Sequence, residues 1–503
     1  MADHKKKGDL HHEDQVMDRK KGDLHHEYRV MDRKKGDLHR EYQVMDRKKG
    51  DLHQHVLPNG LRIIHERPFS RTDRSATTGA QLGISAIQVL VDFGSAHEPD
   101  GHRGVAHFIE HMCFKGTKDF SYTELFLKQN KMGCAFNAST SHRYTNYHCQ
   151  INDEDMGAAI HLLASMTLNS TFPAKESVKE ERVVREECLR DSENGQVLLE
   201  HDSMALLYAG SSYENPIDHI SYHKKSFQIK DVKNLYDIMY HPCNIIISII
   251  SDLPWKKIQD WIRHSPFAHP RALPPSGRRL LQQPYEQQQQ QTSCYHFRTK
   301  PGSETVHVAI SFRVCERNHP DRFILSMLEH IVGGSLGSKI FIFLREKHGV
   351  TYVSLCDTTF FEFAGNITFY AQVDKHKVFD DGRRRGLLPL LVDFINDLIR
   401  HGVTAEELRI GKMNKRAKLL LSLGNLESQA EYNAREWLLL PPGGSVVPMR
   451  KIFETHYKHI TQKQILDVCR KYLCKSNMVV CLVGLSAANK GRVERECERI
   501  ILE

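Results

Sequence analysis

Two histidines four residues apart, with a glutamate beside the second, constrain residues 104–112 more tightly than any other stretch of this chain. The run reads Gly104-Val105-Ala106-His107-Phe108-Ile109-Glu110-His111-Met112. On a helix, positions i and i+4 share a face, so the imidazoles of His107 and His111 aim at one point and Glu110 looks into the same space. That geometry supplies two metal ligands and one general base.

Histidine is common here, 31 in 503 residues, so the motif needs a third ligand to carry weight. Zinc held by two histidines normally takes one carboxylate and leaves a fourth place for water. The segment Lys179-Glu180-Glu181-Arg182-Val183-Val184-Arg185-Glu186-Glu187 offers candidates.

Taken together, HFIEHMCFKGT and the later KEERVVREE resemble the pitrilysin/insulinase family of zinc metallopeptidases, nearest to its short bacterial processing-peptidase-like members. The resemblance implies a distal ligand 76 or 77 positions after the second histidine, and Glu187 lies 76 residues beyond His111. Glu186 is one residue earlier, about 100° around a helix, so the two cannot both face the metal. Glu180, seven residues before Glu187 and on nearly the same helical face, matches the family's supporting carboxylate. Its implied work is to brace a ligand by hydrogen bonding.

Three further stretches fit the same family. His55-Val56-Leu57-Pro58-Asn59-Gly60-Leu61-Arg62-Ile63-Ile64 resembles its opening hairpin, with Asn-Gly turning between apolar runs. Gly133-Cys134-Ala135-Phe136-Asn137-Ala138-Ser139-Thr140 is similar to the strand that lies beside substrate, usually GGxxNAxT. Cys134 stands where that pattern has its second glycine, which puts the local backbone in question but keeps Asn137 and Ala138 as substrate-binding residues. In the second half, Phe343-Leu344-Arg345-Glu346-Lys347-His348-Gly349-Val350-Thr351-Tyr352 resembles the family's RxxxGxxY substrate element. Carried over, Arg345 and Tyr352 would reach across to the scissile peptide.

The resemblance covers residues 55–500 and implies an α+β fold: two structurally similar halves, each a mixed or antiparallel sheet packed by helices, forming a clamshell. The expected layout is a repetitive tail at 1–54, a zinc-binding peptidase domain at 55–268, a Pro/Gln-rich linker at 269–294 and a second peptidase-family domain at 295–503. Strand-like runs such as Ser85-Ala86-Ile87-Gln88-Val89-Leu90-Val91 alternate with amphipathic helical stretches in both halves, as α+β halves require. The implied activity is a zinc-dependent endopeptidase cutting peptides or unfolded segments in a chamber between the halves, with Glu110 activating a zinc-bound water. An inactive scaffold or partner subunit on the same fold is the alternative. Short family members of this length work as dimers, so a homodimer, or a heterodimer with a homologue, is expected.

The longest apolar run, Ile245-Ile246-Ile247-Ser248-Ile249-Ile250, is strand length and far short of the eighteen or so residues a membrane helix needs, so no membrane span is expected. The start, Met1-Ala2-Asp3-His4-Lys5-Lys6-Lys7, lacks a hydrophobic signal core, which makes the cytoplasm the default compartment. Twelve cysteines without a CxxC pair suit a reducing environment, and Cys113 reads as a packed residue. The net charge of +8 comes from interspersed residues, 70 basic against 62 acidic, with no recognition module, so nucleic acid is not an expected partner. A cationic chamber that draws in acidic peptides is one use of that charge, and a solvated face the plainer one.

The tail is an internal repeat. Gly8-Asp9, Gly22-Asp23, Gly36-Asp37 and Gly50-Asp51 recur every fourteen residues, and Leu10, Met17, Leu24, Met31, Leu38, Met45 and Leu52 every seventh. One thin apolar stripe with a glycine in each unit falls short of a coiled coil, which wants a second apolar position per heptad. A disordered or partly helical tail is expected, with a weak association helix or a His-based metal tract as alternatives.

Overall fold

The computed structural model describes residues 52–68, 83–217, 227–271, 294–335, 337–440 and 443–501. The repeat of residues 1–51 and most of the expected linker, 272–293, lie outside the described residues.

Two sheets organise the chain. The first comprises β1 (Leu52–Val56), β2 (Arg62–Glu66), β3 (Ile84–Val91), β4 (Asn137–Thr140), β5 (Thr145–Asn152) and β6 (Ile245–Ile250), in the order β1-β2-β6-β3-β5-β4. The second comprises β7 (Cys294–Arg298), β8 (Thr305–Val314), β9 (Val353–Phe360), β10 (Gly365–Asp374) and β11 (Met478–Val483), in the order β7-β11-β8-β10-β9. One pair in each is parallel, β2 with β6 and β7 with β11; the other pairs are antiparallel. With β1 set aside, the second sheet repeats the first strand for strand. The protein is therefore two α+β halves of one topology, the halves of a clamshell, and β4 and β9 occupy equivalent edges. β1 begins at Leu52, so three residues assigned to the tail on sequence belong to a strand.

The opening hairpin turns where Asn59-Gly60 predicts. Gly60 has φ +89°, and a Cβ there would stand 2.6 Å from the Cys243 Cβ, so only glycine fits the turn.

The helices that matter for the site are α1 (Val105–Met112), α2 (Met156–Leu168), α3 (Ala174–Ser192), α4 (Gly195–Leu207), α5 (Asp321–Gly333), α6 (Leu387–His401) and α7 (Leu426–Leu439). The central strands are apolar on both faces, and the two faces meet different helices. In β3 and β6, Ile87, Val89, Val91, Ile245, Ile247 and Ile249 join a core with α1 and α2 of their own half. The alternate residues Ala86, Leu90, Ile246 and Ile250 are covered by Ala430, Ala434 and Leu438 of α7, which comes from the second half. The reverse holds in the second sheet. Val308, Ile310, Val480 and Leu482 pack with α5 and α6, whereas Ala309, Val479, Cys481 and Val483 receive Leu198, Leu199, Met204 and Leu207 of α4 from the first half.

Each half thus covers one face of its own sheet and one face of its neighbour's. Continuous apolar strands such as Ile245–Ile250 are the sequence signature of a sheet buried on both sides. Polar clasps pin the exchanged helices. The Arg298 guanidinium donates to both oxygens of Asp202 at 2.7 and 2.5 Å, and Asn433 Nδ2 donates to Glu66 Oε2 at 2.9 Å. α4 opens with Gly195 because a Cβ there would lie 2.4 Å from His307 Nε2. No helix among the described residues is long and apolar enough to cross a membrane.

This exchange makes the contiguous halves interdependent. Residues 52–271 expressed alone would leave Ala86, Leu90, Ile246 and Ile250 uncovered, an apolar patch of the kind that drives association. The expected outcome is a fragment that binds a hydrophobic dye and melts without a cooperative transition; a sharp two-state melt of the monomeric fragment would contradict the exchange.

Candidate metal centre

α1 carries the histidine motif, and its start is held by a carboxylate from outside the helix. Its N-cap, Gly104, sits at φ +84° and has no side chain to cap the helix. Glu98 does so instead: its two carboxylate oxygens accept from Gly104 N at 2.7 Å and Ala106 N at 2.8 Å, satisfying orphan donors at the positive end of the helix dipole. Val105, Ala106, Phe108, Ile109 and Met112 are buried against the first core, which leaves His107 and His111 to face the cavity.

The two Nε2 atoms of His107 and His111 stand 3.2 Å apart, and His111 Nε2 lies 3.4 Å from Glu187 Oε2 on α3. One ligand atom from each of the three residues falls within 4.8 Å of the others. Tetrahedral zinc with bonds of about 2.0–2.1 Å needs ligand atoms roughly 3.3 Å apart, so these residues fit the ion. Glu186, one step around the helix, is exposed, whereas Glu187 is half-buried and turned to the histidines.

Glu180 and Lys115 complete the support. Glu180 Oε1 lies 3.0 Å from His111 Nδ1 and its Oε2 2.6 Å from Lys115 Nζ. An ionised carboxylate only accepts, so Nδ1 carries the hydrogen and Nε2 presents its lone pair to the cavity. Burial alone would raise the Glu180 pKa, but the hydrogen bonds from His111 and Lys115 hold it below the usual carboxylate value. Burial likewise works against charge on His111, yet Glu180, Glu110 and Glu187 together raise its pKa. Three carboxylates around two imidazoles and one lysine leave a local deficit of positive charge, which suits a divalent cation.

Glu110 is 8% exposed, and burial raises its pKa above the ordinary carboxylate range. Thr140 Oγ1 donates to Glu110 Oε2 at 2.6 Å, orienting the carboxylate and drawing its pKa part of the way back. Thr140 ends β4, the outermost strand of its sheet, which also carries Asn137 and Ala138. Asn137 is exposed, and its Oδ1 accepts from Ala138 N at 2.9 Å. Cys134 brings no strain: Gly133 takes the left-handed conformation at φ +62°, and Phe172 is the one described non-glycine residue at positive φ.

These groups line a cavity of about 730 Å³, closed on another side by Val197, Glu200 and His201 of α4. Every described lining residue lies between His107 and Ile217, so the second half gives none. The expectation that Arg345 and Tyr352 reach across to the scissile bond is therefore not met within one chain. They sit together on the second half, where the Arg345 guanidinium lies 4.5 Å over the Tyr352 ring, and Tyr352 is 77% exposed. The two halves join through sheet faces, and the helical segment Ile342–Lys347, anchored by Leu344 in the second half's core, stays with its own half.

Glu98, Lys115 and Thr140 escape a reading of the sequence alone. Lys115 and Thr140 lie inside recognised stretches but have no signalled role, and the acid nine residues before His107 marks a cap only once Gly104 is seen to lack one.

Comparison with known proteins agrees with this geometry. Residues 77–218 match the family described as insulinase (peptidase family M16), and residues 226–415 the peptidase M16 inactive domain. An uncharacterized zinc protease of Bacillus subtilis, YmxG, is 28% identical over 392 residues, covering 77% of this chain and 88% of its own. Among solved structures, a protease from Helicobacter pylori superposes with a TM-score of 0.76 at 20% identity, covering 87% of this chain and all of the other. A peptidase M16 inactive domain from Pseudomonas fluorescens does so with a TM-score of 0.72 at 17% identity, covering 87% and 98%.

If Glu180 orients His111, Glu180→Gln weakens zinc binding by about 10–100-fold, the usual loss for a residue that holds a ligand in place. Competition with a chromogenic chelator measures this, and an unchanged zinc affinity would contradict the assigned role.

Proposed function

We propose, because this chain belongs to the insulinase family, peptidase family M16, that it is a zinc-dependent endopeptidase acting on extended peptides or unfolded segments. The observation that carries the reading is the meeting of His107, His111 and Glu187 ligand atoms beside a buried, oriented Glu110 at the edge of an open strand. A scaffold with no chemistry to perform has no need of this complete set.

Zinc, when bound, supplies the positive charge that makes water acidic and a peptide carbonyl electrophilic. The remaining work falls to side chains. Glu110, buried beside the two histidines, accepts the proton of the attacking water. The same group then passes that proton to the leaving amine. Thr140 keeps the Glu110 carboxylate aimed, while Glu180 and Lys115 keep His111 in one tautomer and one orientation. An extended peptide adds to β4 as a further strand, so backbone hydrogen bonds give affinity and side-chain choice stays loose.

Arg345 and Tyr352 enter this account from a second copy of the chain. The exposure of Tyr352, with Arg345 over its ring, and the absence of both from the described lining of the chain's own cavity suit an element that completes a neighbour's site in a homodimer, or in a pair with a homologue. In this reading the protein works in the cytoplasm, where its twelve free cysteines stay thiols.

Two outcomes are expected. Glu110→Gln retains zinc, measured by atomic absorption, and loses cleavage of a quenched peptide library by at least 10²-fold, at the low end of a general base's contribution; undiminished cleavage would sink the mechanism. Mixing inactive Glu110→Gln with inactive Tyr352→Phe under conditions of subunit exchange restores activity toward about one quarter of wild type, because half of a random dimer population is mixed and each mixed dimer holds one intact site. No recovery in a verified mixed dimer would place Tyr352 outside the partner's site.

A further inference from the structure

The turn between β9 and β10 leaves the second half and enters the first. Phe361, 9% exposed, packs its ring 4.1 Å from Tyr213, 5.2 Å from Tyr208 and 5.9 Å from His142, all first-half residues. Beside it, Glu362 Oε2 accepts from the Tyr213 hydroxyl at 2.6 Å, and Oε1 pairs with Arg143 Nε. Arg143 is three residues beyond Thr140, in the turn between β4 and β5.

From there the Arg143 guanidinium reaches inward. Its Nη1 and Nη2 contact the two oxygens of Asp92, each at 2.9 Å, and Nη1 also donates to His97. The same turn is tied by its backbone to the segment before α1: Ser141 O accepts from Ser95 N at 3.2 Å and His142 O from Ala96 N at 2.8 Å. That approach demands glycine at 94, where a Cβ would lie 2.2 Å from Ser141 O. Two residues beyond Ala96 is Glu98, the cap of α1. One guanidinium therefore joins the two segments that place the chemistry: the strand whose Thr140 aims Glu110, and the segment whose Glu98 starts the histidine helix. Its last nitrogen is held by a carboxylate from the other half.

We infer that Glu362 and Arg143 are positioning residues for the peptidase site, through which the second half, though it gives no group to the cavity, sets the alignment of Glu110 and of strand β4. Arg143 keeps its charge because Asp92 and Glu362 outweigh the effect of burial on its pKa. A planar fork with Nη1 and Nη2 hydrogen-bonded and Nε ion-paired to Glu362 fixes direction as well as distance, which a lysine or an apolar filler in the same space does not. The inference rests on the peptidase reading for its kinetic test and on packing alone for its structural one.

The test is Glu362→Gln in the full chain, with Tyr213→Phe as a milder second variant that keeps the ion pair and removes one hydrogen bond. The expected kinetic result is a kcat lowered on the order of tenfold or more, since small misplacements of a catalytic group have effects of that size, with KM and zinc content near wild type. Glu362→Asp, which keeps the charge, recovers part of the loss. Arg143→Gln combined with Glu362→Gln is no worse than either alone, as two residues acting as a unit require. Hydrogen exchange by mass spectrometry, which needs no activity, is expected to quicken in residues 94–112 and 137–145 while the other first-half segments stay protected. Unchanged exchange in both segments for both variants overturns the inference. A wild-type protein that cleaves nothing, with exchange altered as described, overturns the peptidase reading and leaves the positioning contact standing.

Discussion

A sheet buried on both faces needs a layer of helices on each side, and each half of this chain covers only one face of its own sheet. The exchange of α4 for α7 supplies the missing layers. Almost everything about the site follows from that arrangement. α4 carries Leu199 and Leu207 into the second sheet while its Val197, Glu200 and His201 wall the metal cavity. α3, which bears Glu180 and Glu187, runs directly into α4 through the short link at Glu193 and Asn194. Glu187 is thus anchored by helices whose far end is buried in the other half.

The same arrangement explains how a half that gives no group to the cavity can matter to it. Its turn at Phe361 and Glu362 is inserted under the β4–β5 hairpin, and the ion pair with Arg143 sits among aromatic rings where charges are weakly screened. Buried pairs of this kind are weak evidence for added stability, because desolvation offsets their attraction. Their better-supported value lies in directional specificity, which is what an oriented base and an edge strand require. The metal helix is controlled in a similar way at its start, where Glu98 substitutes for the side chain that Gly104 lacks.

How much of this could be read from the sequence depended on the range of the contact. The shared face of His107, Glu110 and His111 follows from helical periodicity, as does the rule that Glu186 and Glu187 cannot both turn to them; the choice of Glu187 and the supporting place of Glu180 come from the family resemblance, and the structure sets both beside the histidines. The Asn59-Gly60 turn between apolar runs marks the opening hairpin, and the apolar run Ile245–Ile250 is strand length, as the structure has it. What periodicity cannot encode is which residue covers a face. Ala430 against Ala86, or Glu362 against Arg143, joins positions hundreds of residues apart with no local signature. Arg345 and Tyr352 show the complementary limit: a linear motif places the two side chains together without saying which chain's cavity they would serve. Cys134 fits its backbone for a reason equally hidden in the sequence, since only the first position of that glycine pair takes a left-handed conformation.

The central claim is that one zinc ion is held by His107, His111 and Glu187 on helices fixed by both halves. Anomalous diffraction at the zinc edge tests it most directly. The account predicts a single peak about 2.0–2.2 Å from an Nε2 of each histidine and an oxygen of Glu187, the bond lengths zinc takes with imidazole and carboxylate. A peak bonded to Glu186 in place of Glu187, or a zinc-saturated crystal with no peak between the two histidines, would contradict it.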